Sequence, residues 1–328
     1  MYTLYGALAS PYSMKLRAIL RYRRIIHTWK HGAIAQAMTA KVKAPVIPVL
    51  ELPDGTFAND TTPLIYELEQ RHAERSIIPE DEGHAFLAHL IEDFADEWLT
   101  KAMFGYRWLE EVDQRQMSEW LAFDAFKGGG EEAVGHARMF RERQVGRMGI
   151  VGCTRENFPL IEASTKRVLA ALEGQVKRDH WLFGSRPSLA EFSLFGQLSQ
   201  LGVDPTAQAM MRAEFPYTYR WLAHVDDASG IQGKWDAPDA ALKPVTKAIL
   251  AEVGRVYVPF LLANAAAAEA GEETFRMEVD GMPYEQGVFK YQLKCLADLR
   301  TRYAALTADA KARVDPILSE AGCLESLR

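Results

Sequence analysis

Cysteine is scarce in this chain: 328 residues carry three thiols, Cys153, Cys295 and Cys323. Their wide spacing contains no Cys-x-x-Cys pair, so neither a disulfide framework nor a zinc cluster is suggested, and a reducing compartment is the simplest reading. The eight histidines are dispersed as well. His84 and His89 stand five apart and do not share a helical face, so no metal site is expected. Basic charge is not in excess either: the formal net charge is −6, which argues against a nucleic-acid partner. The opening Tyr2-Thr3-Leu4-Tyr5 lacks a basic-then-apolar leader, and a cytoplasmic location is expected. The most apolar stretch, Val256 to Ala268, is bounded by Arg255 and Glu269. At about 13 residues it falls short of the roughly 20 that a bilayer requires, so no membrane span is expected.

What the chain does have is the composition of a folded protein, 48% hydrophobic and 25% charged, at a length that suggests two domains. A basic run, Lys15, Arg17, Arg21, Arg23, Arg24, His27, Lys30 and His31, reads as a solvated helix face. The first part of the chain alternates element types. Tyr2 to Tyr5 is a strand, Pro11 to Arg24 a helix and Ile26 to Lys30 a second strand. Pro45 to Leu52 and Phe57-Ala58, joined by Pro53-Asp54-Gly55-Thr56, form an antiparallel hairpin. Thr62 to His72 returns to a helical pattern with Leu64, Ile65 and Leu68 on one face. This order, β-α-β then β-β-α, is a thioredoxin-like arrangement.

Beyond Pro79-Glu80-Asp81-Glu82-Gly83 the strand signals vanish. Helices are expected over His84–Leu109, Phe158–Val176, Ser188–Leu201 and from Phe215 to near Gly230, with a break at Gly128-Gly129-Gly130. In the tail, Pro244–Ala268 reads as a helix interrupted by Pro259, and Thr274–Tyr284 as a hairpin around Asp280-Gly281. Val288–Leu306 and Ala308–Ser319 read as helices. The segment Val256-Tyr257-Val258-Pro259-Phe260-Leu261-Leu262 is too apolar to stay exposed. The acidic segment Glu92, Asp93, Asp96 and Glu97 beside His89 contains one His-x-x-Glu pair, and a di-iron site needs a second copy.

Three segments carry chemistry. After the first strand come Ser10-Pro11-Tyr12-Ser13. Ser10 is a good helix N-cap and Pro11 a good first helical residue, which alone justifies both. The same geometry also suits a thiolate, since a helix N-terminus favours an anion and a serine hydroxyl can donate to it. Next comes Ala44-Pro45-Val46-Ile47-Pro48-Val49-Leu50. Proline is normally excluded from a buried strand, so Pro48 is either at an edge or follows a cis bond that turns the Ile47 N–H and C=O toward a peptide-like ligand. The third segment is Asn59-Asp60-Thr61-Thr62-Pro63. With Thr62 as N-cap and Pro63 opening the helix, the free N–H groups and the Thr61 hydroxyl could hold a carboxylate, and Asp60 an ammonium.

Together, Ser10, Ile47-Pro48 and Asp60-Thr61 resemble the N-terminal domain of the glutathione transferase family in order and spacing. Gly184-Ser185-Arg186-Pro187-Ser188-Leu189-Ala190-Glu191-Phe192 resembles that family's G-x-x-x-S-x-A-D-F segment, with Glu191 in place of Asp. Physically it is a capping box. The resemblance covers roughly residues 1 to 230. It implies an α/β plus all-α fold, with a thioredoxin-like glutathione-binding domain over 1–78 and an all-helical C-terminal domain over 84–232; the mostly helical extension over 233–328 is expected, from its apolar segment, to pack on the helical domain or to cover the cleft between the domains.

The resemblance further implies attack of the co-substrate glutathione on a small apolar electrophile, with no metal, by a homodimer. In that scheme Ser10, with Ser13 as the alternative, stabilises the thiolate. Ile47, at the Pro48 bond, pairs its backbone with the cysteinyl part, while Asp60 and Thr61 bind the γ-glutamyl group. Lys43, with Lys41 as the alternative, neutralises the glycine carboxylate. Tyr12, Tyr106 and Trp108 line the electrophile pocket, although packing would equally account for Tyr106, Arg107 and Trp108. A thiol–disulfide reductase would need a cysteine at position 10 or 13, and a non-catalytic glutathione-binding scaffold is the competing function.

Overall fold

The computed structural model describes residues 1–126 and 130–328. The first elements are β1 (Tyr2–Gly6), α1 (Pro11–Tyr22), β2 (His27–His31), α2 (Ala33–Met38), β3 (Val49–Glu51), β4 (Phe57–Ala58) and α3 (Thr61–Arg71). Then come α4 (Glu82–Phe94), α5 (Thr100–Trp108), α6 (Glu111–Phe126), α7 (Glu131–Val145), α8 (Phe158–Gln175), α9 (Leu189–Leu201), α10 (Pro205–Glu214) and α11 (Pro216–Asp226). The tail holds α12 (Pro244–Glu252), α13 (Val258–Ala270), β5 (Thr274–Val279), β6 (Met282–Gly287), α14 (Lys290–Ala305), α15 (Ala308–Glu320) and α16 (Leu324–Leu327). A thioredoxin-like sheet is thus followed by helices, as expected. The described residues fall into two compact units. The first comprises Met1–Ile77, Tyr106–Gly146 and Phe192–Gln232; the second comprises Ile78–Gly105, Arg147–Glu191 and Gly233–Arg328.

In the first unit the sheet order is β2-β1-β3-β4. β1 is parallel to β2, with Leu4 opposite Trp29, and antiparallel to β3, with Leu4 opposite Leu50. Both Leu4 and Leu50 are fully buried, as are Leu16, Ile19 and Leu20 on α1. The basic run is not a solvated face. Lys15, Arg17 and Arg23 are buried. Arg17 and Arg21 share the Asp226 carboxylate at 3.0 Å each, Arg23 pairs with Glu69 at 2.9 Å, and Arg24 donates to the Ser229 carbonyl. Most of these partners lie about 200 residues away, so the sequence gives no local hint of them. The short helices α2 and α10 escaped the sequence reading. α2 has no side-chain cap, and Gly32 before it adopts φ +77. A Cβ on Gly32 would meet the Asp124 carbonyl of α6 at 2.4 Å, so only glycine fits that approach. Of the expected break at Gly128-Gly129-Gly130, the first two residues lie outside the described residues, and Gly130 precedes α7.

The second unit is built around aromatic side chains. Trp98, Phe260 and Tyr284 meet with ring centroids 5.4 to 5.9 Å apart, and Phe94, Tyr257 and Phe275 extend the group. The tail thus packs its apolar helix and its hairpin, turned at Asp280-Gly281, against α4 and α5. Each fully buried aromatic ring stabilises the unit by about 2–3 kcal/mol. The expected interruption at Pro259 is not a break. A π-helical turn, Val253–Tyr257, joins α12 to α13 just ahead of it, and Pro259, the second residue of α13, lies inside the continuing helix directly after that local change of winding. Pro244–Ala270 is therefore a 27-residue helical run, long and apolar enough by length and composition to cross a membrane, which corrects the shorter expectation. Val245, Ile249, Leu250, Val256 and Leu261 on it are buried inside the unit.

Candidate functional site

β3 is antiparallel to β1, with Tyr5 opposite Val49, and β4 is antiparallel to β3, with Leu50 opposite Ala58. The C-terminal ends of β1 and β4 therefore share one edge of the sheet with the start of β3. The three segments singled out in the sequence leave from that edge: 7–10 into α1, 42–48 into β3, and 59–60 into α3.

Ser10 is the N-cap of α1. Its backbone is extended, and its Oγ accepts the Ser13 N–H at 3.2 Å. Pro11 takes the first helical position. Ser10 is half-buried, whereas Ser13 is wholly buried, its Oγ accepting the Ala7 N–H at 3.2 Å. Gly6 makes that approach possible, since a Cβ there would lie 2.6 Å from the Ser13 Oγ. Of the two hydroxyls, Ser10 is the one with exposed surface. Its acceptor side is engaged by the Ser13 N–H, which leaves its own proton to donate.

Ile47–Pro48 is a cis peptide bond, and Pro48 is buried just outside the strand ladder. Lys41 and Lys43 are exposed in the approach to it. Asn59 ties this segment to the start of α3, donating from Nδ2 to the carbonyls of Ala44 at 2.6 Å and Val46 at 3.3 Å. α3 begins at Thr61, one residue before the expected cap at Thr62, so Asp60 is the N-cap residue. Asp60 is exposed and held at φ +73, a conformation that costs a non-glycine residue about 1–3 kcal/mol. Its side chain makes no capping hydrogen bond to the first turn. Thr61 is buried.

Tyr12 is half-buried in the first turn of α1. Tyr106 and Trp108 are buried within the unit. The Tyr106 hydroxyl donates to the Met210 sulfur at 3.3 Å, and the Trp108 ring packs 6.0 Å from that of Phe140. Between them, Arg107 donates from Nε to both oxygens of Asp204, at 3.1 and 2.9 Å. Burial pushes the Asp204 carboxyl up to about 6, against the pull of Arg107. The capping box forms as expected: the Ser188 N–H and hydroxyl both donate to Glu191, at 2.8 Å for the N–H, and the Ala190 N–H donates to the Ser188 Oγ.

Two family models match the chain: glutathione S-transferase, N-terminal domain, over residues 4–76, and glutathione S-transferase, C-terminal domain, over residues 141–224. A search of curated proteins finds no match. Among solved structures, the chain is similar to a glutathione S-transferase from Rhodospirillum rubrum at 17% identity and TM-score 0.46, covering 76% of this chain and 92% of that one. It is similar to a glutathione S-transferase from Methylobacterium radiotolerans, in complex with glutathione sulfonate, at 17% identity and TM-score 0.42, over 73% and 99% of the two chains. A third, from Methylobacillus flagellatus with glutathione bound, aligns at 18% identity and TM-score 0.41, over 68% and 93%. The N-terminal match spans the three segments at the sheet edge and the C-terminal match spans the capping box, and on these two models the chain belongs to the glutathione S-transferase family.

Proposed function

We propose that the protein binds glutathione at the sheet edge and stabilises its thiolate for attack on a small apolar electrophile, by conjugation or by forming and cleaving a thioether. The observation that carries this reading is the half-buried Ser10 hydroxyl, a donor at the N-terminus of a twelve-residue helix. Lowering a thiol pKa by two units takes about 2.7 kcal/mol. A charge-assisted hydrogen bond of about 1.5–3 kcal/mol with a helix-terminus contribution of about 0.3–1 kcal/mol gives a sum of the same size as that requirement. The sulfur of glutathione is the nucleophile, so the protein contributes positioning and electrostatics.

In this scheme the Ile47 backbone, beside Pro48, pairs with the cysteinyl unit. Asp60 takes the γ-glutamyl ammonium and the N-terminus of α3, with Thr61, takes its carboxylate, while Lys43 neutralises the glycine carboxylate. One observation supports the γ-glutamyl assignment: the exposed Asp60 carboxylate stands at the N-terminus of α3, held at positive φ. Tyr12 has exposed surface from which to meet an electrophile, whereas Tyr106 and Trp108 are buried and would act only through packing. The working form is a cytoplasmic homodimer in which 1–78, 84–232 and 233–328 are the glutathione-binding, helical and extension segments. Calorimetry with glutathione, followed by a rate assay with an aryl halide, tests the reading. Binding with acceleration supports it; binding without acceleration makes the protein a scaffold; no binding at millimolar glutathione refutes it.

A further inference from the structure

Arg107 is 3% exposed and uses all three nitrogens of its fork. Nε holds the fully buried Asp204, Nη1 donates to the Ala9 carbonyl at 2.7 Å, and Nη2 donates to the Gln200 Oε1 at 2.9 Å. Gln200, 1% exposed, passes the contact on, donating from Nε2 to the Leu8 carbonyl at 3.2 Å. In the turn that leads into α1, the Ala7 carbonyl is satisfied locally by the Ser10 N–H at 3.1 Å and the Ser10 carbonyl by the Met14 N–H at 3.0 Å. The two carbonyls between them, of Leu8 and Ala9, face Gln200 and Arg107. A buried ion pair with Asp204 alone would be a weak reason for an arginine. A lysine could neutralise that carboxylate, but it could not address three acceptors in one plane.

We propose that Arg107, through Gln200 and the Ala9 carbonyl, is a positioning residue that fixes the direction of the Ser10 hydroxyl. This rests on Ser10 being the thiolate donor. A hydrogen bond prefers an angle above about 150° and weakens steeply below about 120°, so a loosened turn lowers the stabilisation of the thiolate even with the hydroxyl in place. The effect belongs to the thiol, not to the binding of the glutathione backbone, which uses the other two segments.

The test is ultraviolet titration of the thiolate of bound glutathione in Arg107→Lys, Gln200→Leu, Ser10→Ala and Arg107→Lys/Ser10→Ala, with glutathione affinity and thermal unfolding measured alongside. The expected result is a thiol pKa raised by about one unit in Arg107→Lys and in Gln200→Leu, which from a bound pKa about one to two units below 8.5 is roughly a three- to eightfold loss of thiolate at pH 7. Glutathione affinity should change less than about threefold, and the double variant should titrate like Ser10→Ala. An unchanged pKa in folded Arg107→Lys or Gln200→Leu, while Ser10→Ala raises it, overturns the positioning role and leaves the Ser10 reading intact. An unchanged pKa in Ser10→Ala overturns both. If Arg107→Lys does not fold, Gln200→Leu alone decides, with the same two outcomes.

Discussion

The Ser10 side chain accepts the Ser13 backbone N–H at 3.2 Å, and the Ser13 side chain instead accepts the Ala7 N–H at 3.2 Å. One hydroxyl keeps exposed surface and the other closes the turn. Ser13→Ala should therefore cost stability, about 1–3 kcal/mol for the N–H left without its partner, and leave the thiol chemistry alone. Thermal unfolding beside a thiolate titration checks this. An unchanged melting temperature with a lost thiolate signal would transfer the donor role to Ser13.

Asp60 carries two properties at once, a carboxylate and a backbone at φ +73. Asn tolerates positive φ at least as well as Asp, so Asp60→Asn removes the charge and keeps the backbone. Glutathione binding should weaken by about 1–3 kcal/mol with little change in melting temperature. Calorimetry showing wild-type affinity would remove Asp60 from the site.

In the second unit, burial and the neighbouring Asp93 and Asp96 push Glu97 up to about 8 from 4.5. The folded chain holds this proton at a pH where the unfolded chain has released it. The stability it contributes is complete below about 4.5 and is lost as pH rises to about 8. Glu97→Gln keeps the neutral form at every pH. Its advantage over the wild type should be near zero at low pH and grow through neutrality. Glu97 retains some exposed surface, so we count half the shift, about 2 kcal/mol. Melting curves across pH that run parallel for the two proteins would contradict the assignment.

Cys153 is fully buried, and burial pushes its thiol up to about 12 even with Lys101 nearby. The region before it has no cysteine at all. Disulfide exchange requires a protein thiolate, so glutaredoxin-type reduction should be negligible. Robust turnover in a disulfide-exchange assay that disappears in Cys153→Ser would contradict this.

The parts of the fold written in local chemistry were legible in the sequence. Ser10-Pro11 announces the start of α1, Pro53-Asp54-Gly55-Thr56 the hairpin between β3 and β4, Asp280-Gly281 the one between β5 and β6, and Ser188 with Glu191 the capping box. What stayed hidden depends on partners far along the chain. Arg107 meets Asp204 and Ala9, each nearly a hundred residues away, and Asn59 holds the carbonyls of Ala44 and Val46 through a side chain with no periodicity to betray it. The basic residues of α1 and Arg23 at its C-cap carry no local sign that Asp226 and Glu69 would draw them into the interior. The π-helical turns at Ala95–Leu99 and Val253–Tyr257 also lack a sequence signature, since each inserts into an otherwise regular apolar helix.

The most direct measurement is the ultraviolet titration of glutathione bound to the wild-type protein and to Ser10→Ala. Free glutathione keeps an ordinary thiol pKa, near 8.5. The bound value should lie about one to two units lower in the wild type and return most of the way in Ser10→Ala, with glutathione affinity largely retained. A bound thiol that titrates like free glutathione in the wild type, or identically in both proteins, would contradict it.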